Sequence, residues 1–295
     1  MADDPIRIGV IGGSGLYSMA ELTDIEECTI DTPFGPPSDV VVTGTLRGQR
    51  VAFIARHGRG HVHTPSQVPY RANIFALKTL GVETVIGVSA CGSLREEFAP
   101  GHVVVPDQLF DFTKENRGRT FFGGGLAAHI SVAEPFCPAL SQLLYDACVE
   151  AGGTAHLGGA FITIEGPRFS TRGESDIFRQ WGLDIIGMTT SPEAFLAREA
   201  EMCYGVIAHV TDYDVWHESE EPVTTEMVIK TFHANIALAQ QSVAIAVEKL
   251  GQAPTPCACH HALANAFITA RDQIPPAAIA KIHPIVGRYF DDVGV

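Results

Sequence analysis

The sequence predicts an α/β fold built on a mainly parallel sheet. Short Val- and Ile-rich runs of buried-strand length recur along the chain, amphipathic stretches with helical spacing lie between several of them, and glycines or capping residues mark the joins. In order, strand runs fall at 6–11, 51–55, 84–88, 102–105, 160–164, 184–188 and 204–210. Helical spacing marks 69–80 and 138–151, each stopping near glycine. Thr171-Arg-Gly-Glu174 has the form of a capping box opening a helix toward Trp181. Ser191-Pro192-Glu193 sets an N-cap, an N1 proline and an early acid at another helix start. Thr224 or Thr225 opens a long helix ending near Leu250. A linker, GQAPTP, then leads into 257–295, read as two short helices too small to fold alone. The expected organisation is therefore a main domain over 1–250 and a C-terminal helical extension over 251–295 packed on it.

At 295 residues and 46% hydrophobic the chain can build one large core. A net charge of -14 disfavours binding to a nucleic acid polymer. The N-terminus is acidic, with no basic leader and no apolar span of membrane length, so a cytoplasmic location and no membrane partner are expected. Seven scattered cysteines read as mostly reduced, buried thiols.

Several strand ends carry polar groups. Ile11-Gly-Gly-Ser14-Gly15-Leu16 follows the first strand, and its glycines let backbone N–H groups approach an anion. Ser18 stands where the third glycine of a dinucleotide fingerprint belongs, and a Walker lysine is missing. A plain tight turn and a phosphate loop both remain open for this loop alone. Arg56-His57 ends another strand, and a guanidinium fork matches phosphate oxygens. Ser89-Ala90 and Thr189 lie at two more. In open α/β sheets such ends face the ligand crevice. Asp212 and Asp214 follow the last strand, and an extended backbone would project both to one side. A carboxyl group buried there holds a proton near neutral pH and serves as a general acid.

Cys257-Ala-Cys259-His260-His261 offers four metal-ligand types within five residues. A structural zinc site normally draws on two separated stretches, and no second CxxC or HxxxH follows. The segment is expected to start a helix through Ala262–Ala264 and dock near the ligand cleft, with no metal.

From about Ile8 to Leu250 the chain resembles the 5'-methylthioadenosine phosphorylases of the trimeric nucleoside phosphorylase superfamily. The resemblance rests on GGSGL at 12–16, DTPFGPPSD at 31–39, ARHGRGH at 55–61, ACGSLREE at 90–97, AEPFCP at 133–138, TIEGPRFSTRGES at 163–175, MTTSPE at 188–193 and TDYDVW at 211–216. It implies a single nucleoside phosphorylase-like domain with a mixed, distorted central sheet flanked by helices, assembled as a homotrimer or a dimer of trimers. It implies a phosphate site at Ser14, Arg56, His57, Ser89, Ala90 and Thr189. Met188 would meet the ribose, Phe169 the base, and Asp212 and Asp214 the purine. His129 would reach the 5'-methylthio group of a neighbouring subunit. Ser170 and Thr225 would bear on specificity. The implied reaction is phosphorolysis of 5'-methylthioadenosine to adenine and 5-methylthioribose 1-phosphate, with inorganic phosphate as co-substrate and no cofactor. Asp212 is the expected proton donor to N7. Paired carboxylates suit the N6 amino group of adenine, whereas a 6-oxopurine phosphorylase would want an amide there. That enzyme, a hydrolytic nucleosidase and a nucleotide-binding regulator without turnover are the competing readings.

Overall fold

The computed structural model describes residues 5–13, 15–217, 226, 235–252 and 257–290. Its strands are β1 (Ile8–Gly12), β2 (Thr23–Cys28), β3 (Val41–Leu46), β4 (Gln49–Ala55), β5 (Thr84–Ser93), β6 (Val103–Val105), β7 (Gln108–Phe112), β8 (Ala155–Leu157), β9 (Ala160–Ile164), β10 (Ile185–Gly187) and β11 (Cys203–Asp212). Its α-helices are α1 (Tyr70–Thr79), α2 (Pro138–Glu150), α3 (Arg172–Gln180), α4 (Thr190–Glu199), α5 (Ile236–Gln252), α6 (Pro276–Lys281) and α7 (His283–Phe290).

The strands form one mixed sheet in the order β2-β3-β4-β1-β5-β10-β9-β7, with β11 branching from β5 to β6 and β8. The branch arises because β5 is ten residues long. Thr84–Gly87 pair in parallel with β1, Thr84–Gly92 with β11, and the last two residues run antiparallel to β10. Each predicted strand is present. The four that the hydrophobic pattern misses have physical reasons. β2 (TDIEEC) is an exposed, charged edge strand, a composition that protects an unpaired edge. β3 is broken by Gly44 and threonines, whereas β7 and β8 are short and partly exposed.

The capping box at α3 forms as predicted: Thr171 Oγ1 accepts from Glu174 N at 3.2 Å and Glu174 Oε2 accepts from Thr171 N at 2.8 Å. At α4 the cap is Thr189, and Ser191 sits in extended geometry inside the element with its buried hydroxyl unpartnered. α5 continues through Gly251 and Gln252, so the helix takes the first part of the predicted linker. The predicted helix start at Thr224 or Thr225 lies outside the described residues.

The C-terminal segment buries Leu263, Ala266, Ile274, Ile279, Ile282, Ile285, Val286 and Phe290 in the same apolar cluster as Ile74 and Leu77 of α1. No helix runs on from Cys257 through Ala264. A 3-10 turn spans Ala258–His261, and the N–H of Leu263 is taken by Glu201 Oε1 at 2.9 Å instead of continuing a helical ladder. The turn is also not near the polar strand ends. It packs against Cys203, the first residue of β11, whereas Asp212 is the last. At about 3.3 Å per residue the two ends are roughly 30 Å apart.

Candidate functional site

β1 and β4 end side by side against the middle of β5, and Arg56 ties the three together. Its backbone N–H donates to Gly12 O at 2.8 Å, Nη1 donates to Val88 O at 2.9 Å and Nη2 to Ile11 O at 3.1 Å. The rest of the guanidinium faces Glu193 of α4: Nε donates to Oε2 at 2.8 Å and Nη2 to Oε1 at 2.7 Å. Tyr204 adds its hydroxyl to Oε1 at 2.7 Å. Both ionic partners are buried, at 4% and 1% exposure. Burial works against the Arg56 charge, but the Glu193 carboxylate more than offsets it and holds the guanidinium firmly protonated. The sequence presents Arg56 as an open fork for phosphate. The fold corrects this: of its five N–H donors, four go to protein acceptors. One Nη1–H remains without a partner among the described residues.

His57 is likewise partly committed to the protein. Its Nδ1 lies 2.9 Å from His63 O, which can only accept, so Nδ1 carries the proton. Burial lowers its pKa to about 4, with the nearby Arg56 charge acting in the same direction and the His63 hydrogen bond opposing. The neutral ring, stacked on His61 at 4.1 Å, therefore offers Nε2 as an acceptor, and it meets an anion through a proton the anion carries.

Ser89 is nearly buried and half-buried Ala90 follows it; the Ser89 hydroxyl lies 3.2 Å from Ala90 O. Thr189 is buried, and its side chain does not cap α4, so the hydroxyl stays available at the helix N-terminus. Arg56 is tied to β5 through Val88 O, next to Ser89, and to α4 through Glu193, one turn after Thr189. Ser14 and Thr225 lie outside the described residues.

Across the sheet end sit the two aspartates, but not by strand alternation. Asp214 has φ +50, a left-handed conformation that an aspartate tolerates at a cost of about 1 kcal/mol. Its N–H donates to Asp212 Oδ1 at 2.8 Å. A local side-chain turn, rather than an extended backbone, brings the two carboxyls together. They flank Gly92, where an added Cβ would lie 2.9 Å from Asp212 Oδ1 and 3.5 Å from Asp214 Cβ. Only glycine leaves that space.

Both carboxyls are buried, and both titrate upward. Burial raises Asp212 above the ordinary range, against opposing hydrogen bonds from Thr211 and Asp214. Thr211 Oγ1 lies 2.6 Å from Asp212 Oδ2 and 3.2 Å from Cys91 O. A hydroxyl has one proton. When it goes to the Cys91 carbonyl, the shorter contact needs a proton on Asp212. Asp214 is raised to about 6, chiefly by burial and further by the Asp212 charge, while the Ser175 and Ser170 hydroxyls beside it act in the other direction. Asp214 Oδ2, Ser170 Oγ and Ser175 Oγ are buried without a closed hydrogen bond. Three such atoms together mark where a polar ligand edge would be satisfied.

Phe169 is half-buried on the loop leading to Ser170. Met188 lies against Gly166, where φ is +63 and a Cβ would meet Sδ at 2.5 Å. Arg117 fixes this region and was not singled out by sequence. Its buried guanidinium donates to Met188 O at 2.6 Å and to Glu165 O at 2.6 Å. Burial opposes the Glu165 charge, but donors from Ser66, Lys114, Glu115 and Arg117 hold its pKa down to about 2. Glu193 was noted only as an early helix acid; nothing local in sequence pairs it with Arg56, 137 residues away. His129 is exposed and its N–H donates to Ala266 O at 2.8 Å, on the loop that faces the C-terminal segment. Within the chain it joins none of the other candidates among the described residues.

The expectation that the CxC stretch lacks a second set of metal-ligand residues is also corrected. Cys137, at the start of α2, and Cys203 complete a group of four sulfurs with Cys257 and Cys259, all within 4.8 Å of one another. The contacts with Cys203 and Cys259 hold Cys137 well below the usual thiol range and push those two up.

Residues 7–250 match the Phosphorylase superfamily. An S-methyl-5'-thioadenosine phosphorylase of Chloroflexus aurantiacus is 54% identical over 283 residues, covering 96% of this chain and 98% of that protein. One of Geobacter sulfurreducens is 51% identical over 282 residues, with 96% and 98% covered. Among solved structures, a methylthioadenosine phosphorylase sourced from an Antarctic soil metagenomic library superposes with TM-score 0.92 at 45% identity, covering 96% of this chain and 99% of that one. The methylthioadenosine phosphorylase of Schistosoma mansoni in complex with adenine gives TM-score 0.80 at 38% identity, with 84% and 93% covered.

Proposed function

The chain belongs to the phosphorylase superfamily, and on that premise we propose that it cleaves 5'-methylthioadenosine with inorganic phosphate to adenine and 5-methylthioribose 1-phosphate. The observation that carries the reading is the pair of buried, upward-titrating carboxyls at Asp212 and Asp214, facing the Ser170 and Ser175 hydroxyls at the same sheet end as the Arg56 strand junction.

The chemistry follows from that placement. Adenine leaves poorly as an anion, so a neutral carboxylic acid at N7 lowers the barrier. Asp212 is assigned this proton, supported by its 2.6 Å contact with Thr211. The second carboxyl accepts from the N6 amino group, which a 6-oxopurine lacks; a mismatch leaves buried polar atoms unpaired. A second assignment, with the proton on Asp214, is favoured by its pKa of about 6 and its unpartnered Oδ2. Asp212→Asn and Asp214→Asn separate the two: the variant whose adenine release falls by the larger factor has lost the acid. Phosphate sits against Arg56, His57, Ser89, Ala90 and Thr189, with Ser14 completing the loop, and attacks the anomeric carbon from the face opposite the base. Met188 and Phe169 line ribose and base, while Arg117 and Glu165 act as positioning residues behind them.

No organic cofactor enters these steps. His129 is assigned to a neighbouring subunit's 5'-group in a homotrimer, or in a dimer of such trimers, located in the cytoplasm. Among the described residues no helix is long and apolar enough to cross a membrane. A substrate panel of 5'-methylthioadenosine, methylthioinosine, adenosine and inosine, each with and without phosphate, tests the proposal. Phosphate-dependent release of adenine supports it. Release without phosphate, or a preference for the 6-oxo substrates, overturns it.

A further inference from the structure

We propose that Cys137, Cys203, Cys257 and Cys259 form a tetrathiolate site for one zinc ion that fastens the C-terminal segment to the amino ends of the sheet. The four sulfurs come from three stretches: the turn before α2, the first residue of β11 and the Ala258–His261 turn with its preceding cap. Metal binding would thus close two long loops, as a structural zinc site does. The backbone already registers them, since Cys137 N–H donates to Tyr204 O at 2.8 Å.

The spacing brackets what the ion needs, with the Cys203–Cys257 pair having to open by about 1 Å to admit it. A tetrahedron with metal–sulfur bonds of about 2.3 Å has sulfur–sulfur edges of about 3.8 Å. Cys137 Sγ to Cys257 Sγ is 3.6 Å, Cys203 Sγ to Cys257 Sγ is 2.8 Å, and no pair exceeds 4.8 Å. A single bridge would draw two sulfurs together to about 2.05 Å and release the others. Here every sulfur faces the other three. The donor set is four soft thiols gathered in one cluster, which selects zinc over magnesium or calcium.

Charge and access are also provided for. Four thiolates around a divalent ion carry two net negative charges, and binding releases the thiol protons to solvent or to a neighbouring base. The Cys259 N–H donates to Cys257 Sγ at 3.2 Å. His260 Nε2 lies 3.5 Å from Cys203 Sγ, while its Nδ1 faces Glu201 O at 3.2 Å and so carries a proton. The imidazole thereby stands against Cys203 as a hydrogen-bonding partner just outside the four sulfurs. A cleft of about 390 Å³, lined by Cys137, Cys203 and His260 among others, opens to the cluster and gives an entry path. The group is roughly 30 Å from Asp212, measured along β11. Its role is therefore structural.

The test is the zinc content of untagged protein, equilibrated with zinc and freed of excess by gel filtration. One zinc per chain is expected, falling below about a tenth in Cys257→Ser/Cys259→Ser and unchanged in Cys28→Ser. Cobalt in place of zinc should give the intense visible bands of a tetrahedral thiolate complex. Stripping the wild-type chain with a chelator should lower Tm by roughly 5–10 °C, restored by zinc. Adenine release at moderate temperature should persist throughout. If the double variant does not fold, the wild-type metal content and cobalt spectrum decide. Wild-type protein without bound zinc, whether all seven thiols titrate as free or the mass falls by two hydrogens per bridge, overturns the proposal.

Discussion

Replacing Glu193 by Gln separates the structural and catalytic burdens on Arg56. Glu193 accepts three hydrogen bonds, at 2.8 and 2.7 Å from Arg56 and 2.7 Å from Tyr204, in a site with 1% exposure. Gln fills the same volume but has one acceptor oxygen. If that oxygen serves Arg56 Nη2 and Tyr204, the amide nitrogen confronts Arg56 Nε–H, donor against donor. The guanidinium keeps its charge, now buried without a counter-ion. Breaking a buried pair in this way costs about 3–5 kcal/mol. At roughly 2–4 °C per kcal/mol, Tm should fall by about 10 °C. Arg56 also anchors Ile11 O and Val88 O, so its displacement disturbs the strand junction and the phosphate KM should rise about tenfold or more. Thermal unfolding and a phosphate titration at saturating nucleoside read the two effects separately. A variant with Tm within 2 °C of wild type and unchanged phosphate KM would refute the reasoning that Glu193 holds Arg56 in place.

Asp212→Asn should lower adenine release by a factor of about 10²–10⁴ and improve the relative use of 6-oxo substrates; near-normal turnover in a steady-state assay would remove Asp212 as the acid. Arg56→Ala should raise the phosphate requirement sharply while nucleoside-analogue binding without phosphate changes less, read by calorimetry beside initial rates. The Asp214 pKa, raised to about 6, gives a pH dependence with a definite sign. Folding favours the protonated form, so its stabilising contribution is full below the unfolded value near 4 and is lost as pH rises through about 6. Asp214→Asn should therefore gain stability relative to wild type between pH 4 and pH 8, by roughly 2–3 kcal/mol in urea melts. A difference that is flat with pH would show the carboxyl to be ordinary.

Much of the site was legible because its residues sit at strand ends, which the alternation of apolar runs locates. Arg56, Thr189 and Asp212 lie at or just past such ends, whereas Ser89 falls inside β5, which runs on to Ser93 beyond the end that the apolar run marks. What the pattern could not supply is the partner each residue finds. Arg56 meets Glu193 and Met188 meets Arg117 only after helix and loop fold back over the sheet. Charge alone does not say which acid neutralises which base. Nor could an extended reading of Asp212-Tyr213-Asp214 foresee a left-handed Asp214, since that turn depends on Asp212 accepting the Asp214 N–H. The cysteines show the same limit at longer range. Cys257 and Cys259 are neighbours in sequence, but Cys137 and Cys203 join them only through the packing of α2, β11 and the C-terminal turn.

The Arg56–Glu193 pair also bears on how phosphate assists bond cleavage in the proposed reaction. An unpaired arginine would bind the anion tightly and at the same time neutralise it. Here the guanidinium charge is already balanced by Glu193, and His57 is held neutral. Among the described residues, the donors left for phosphate include one Arg56 N–H, the Ser89 and Thr189 hydroxyls and the N-terminus of α4. These orient the anion without cancelling its charge. As the N-glycosidic bond stretches, positive charge grows on the ribose ring, and a phosphate that keeps its negative charge stabilises that ring more than one paired with a free cation. At the opposite face of the sugar, the buried carboxyls gain from the same exclusion of water: burial raises both toward holding a proton, and its transfer to the purine is favoured only as negative charge develops there. The two ends of the site are thus tuned in opposite senses, one withholding positive charge from the nucleophile and the other storing a proton for the leaving group.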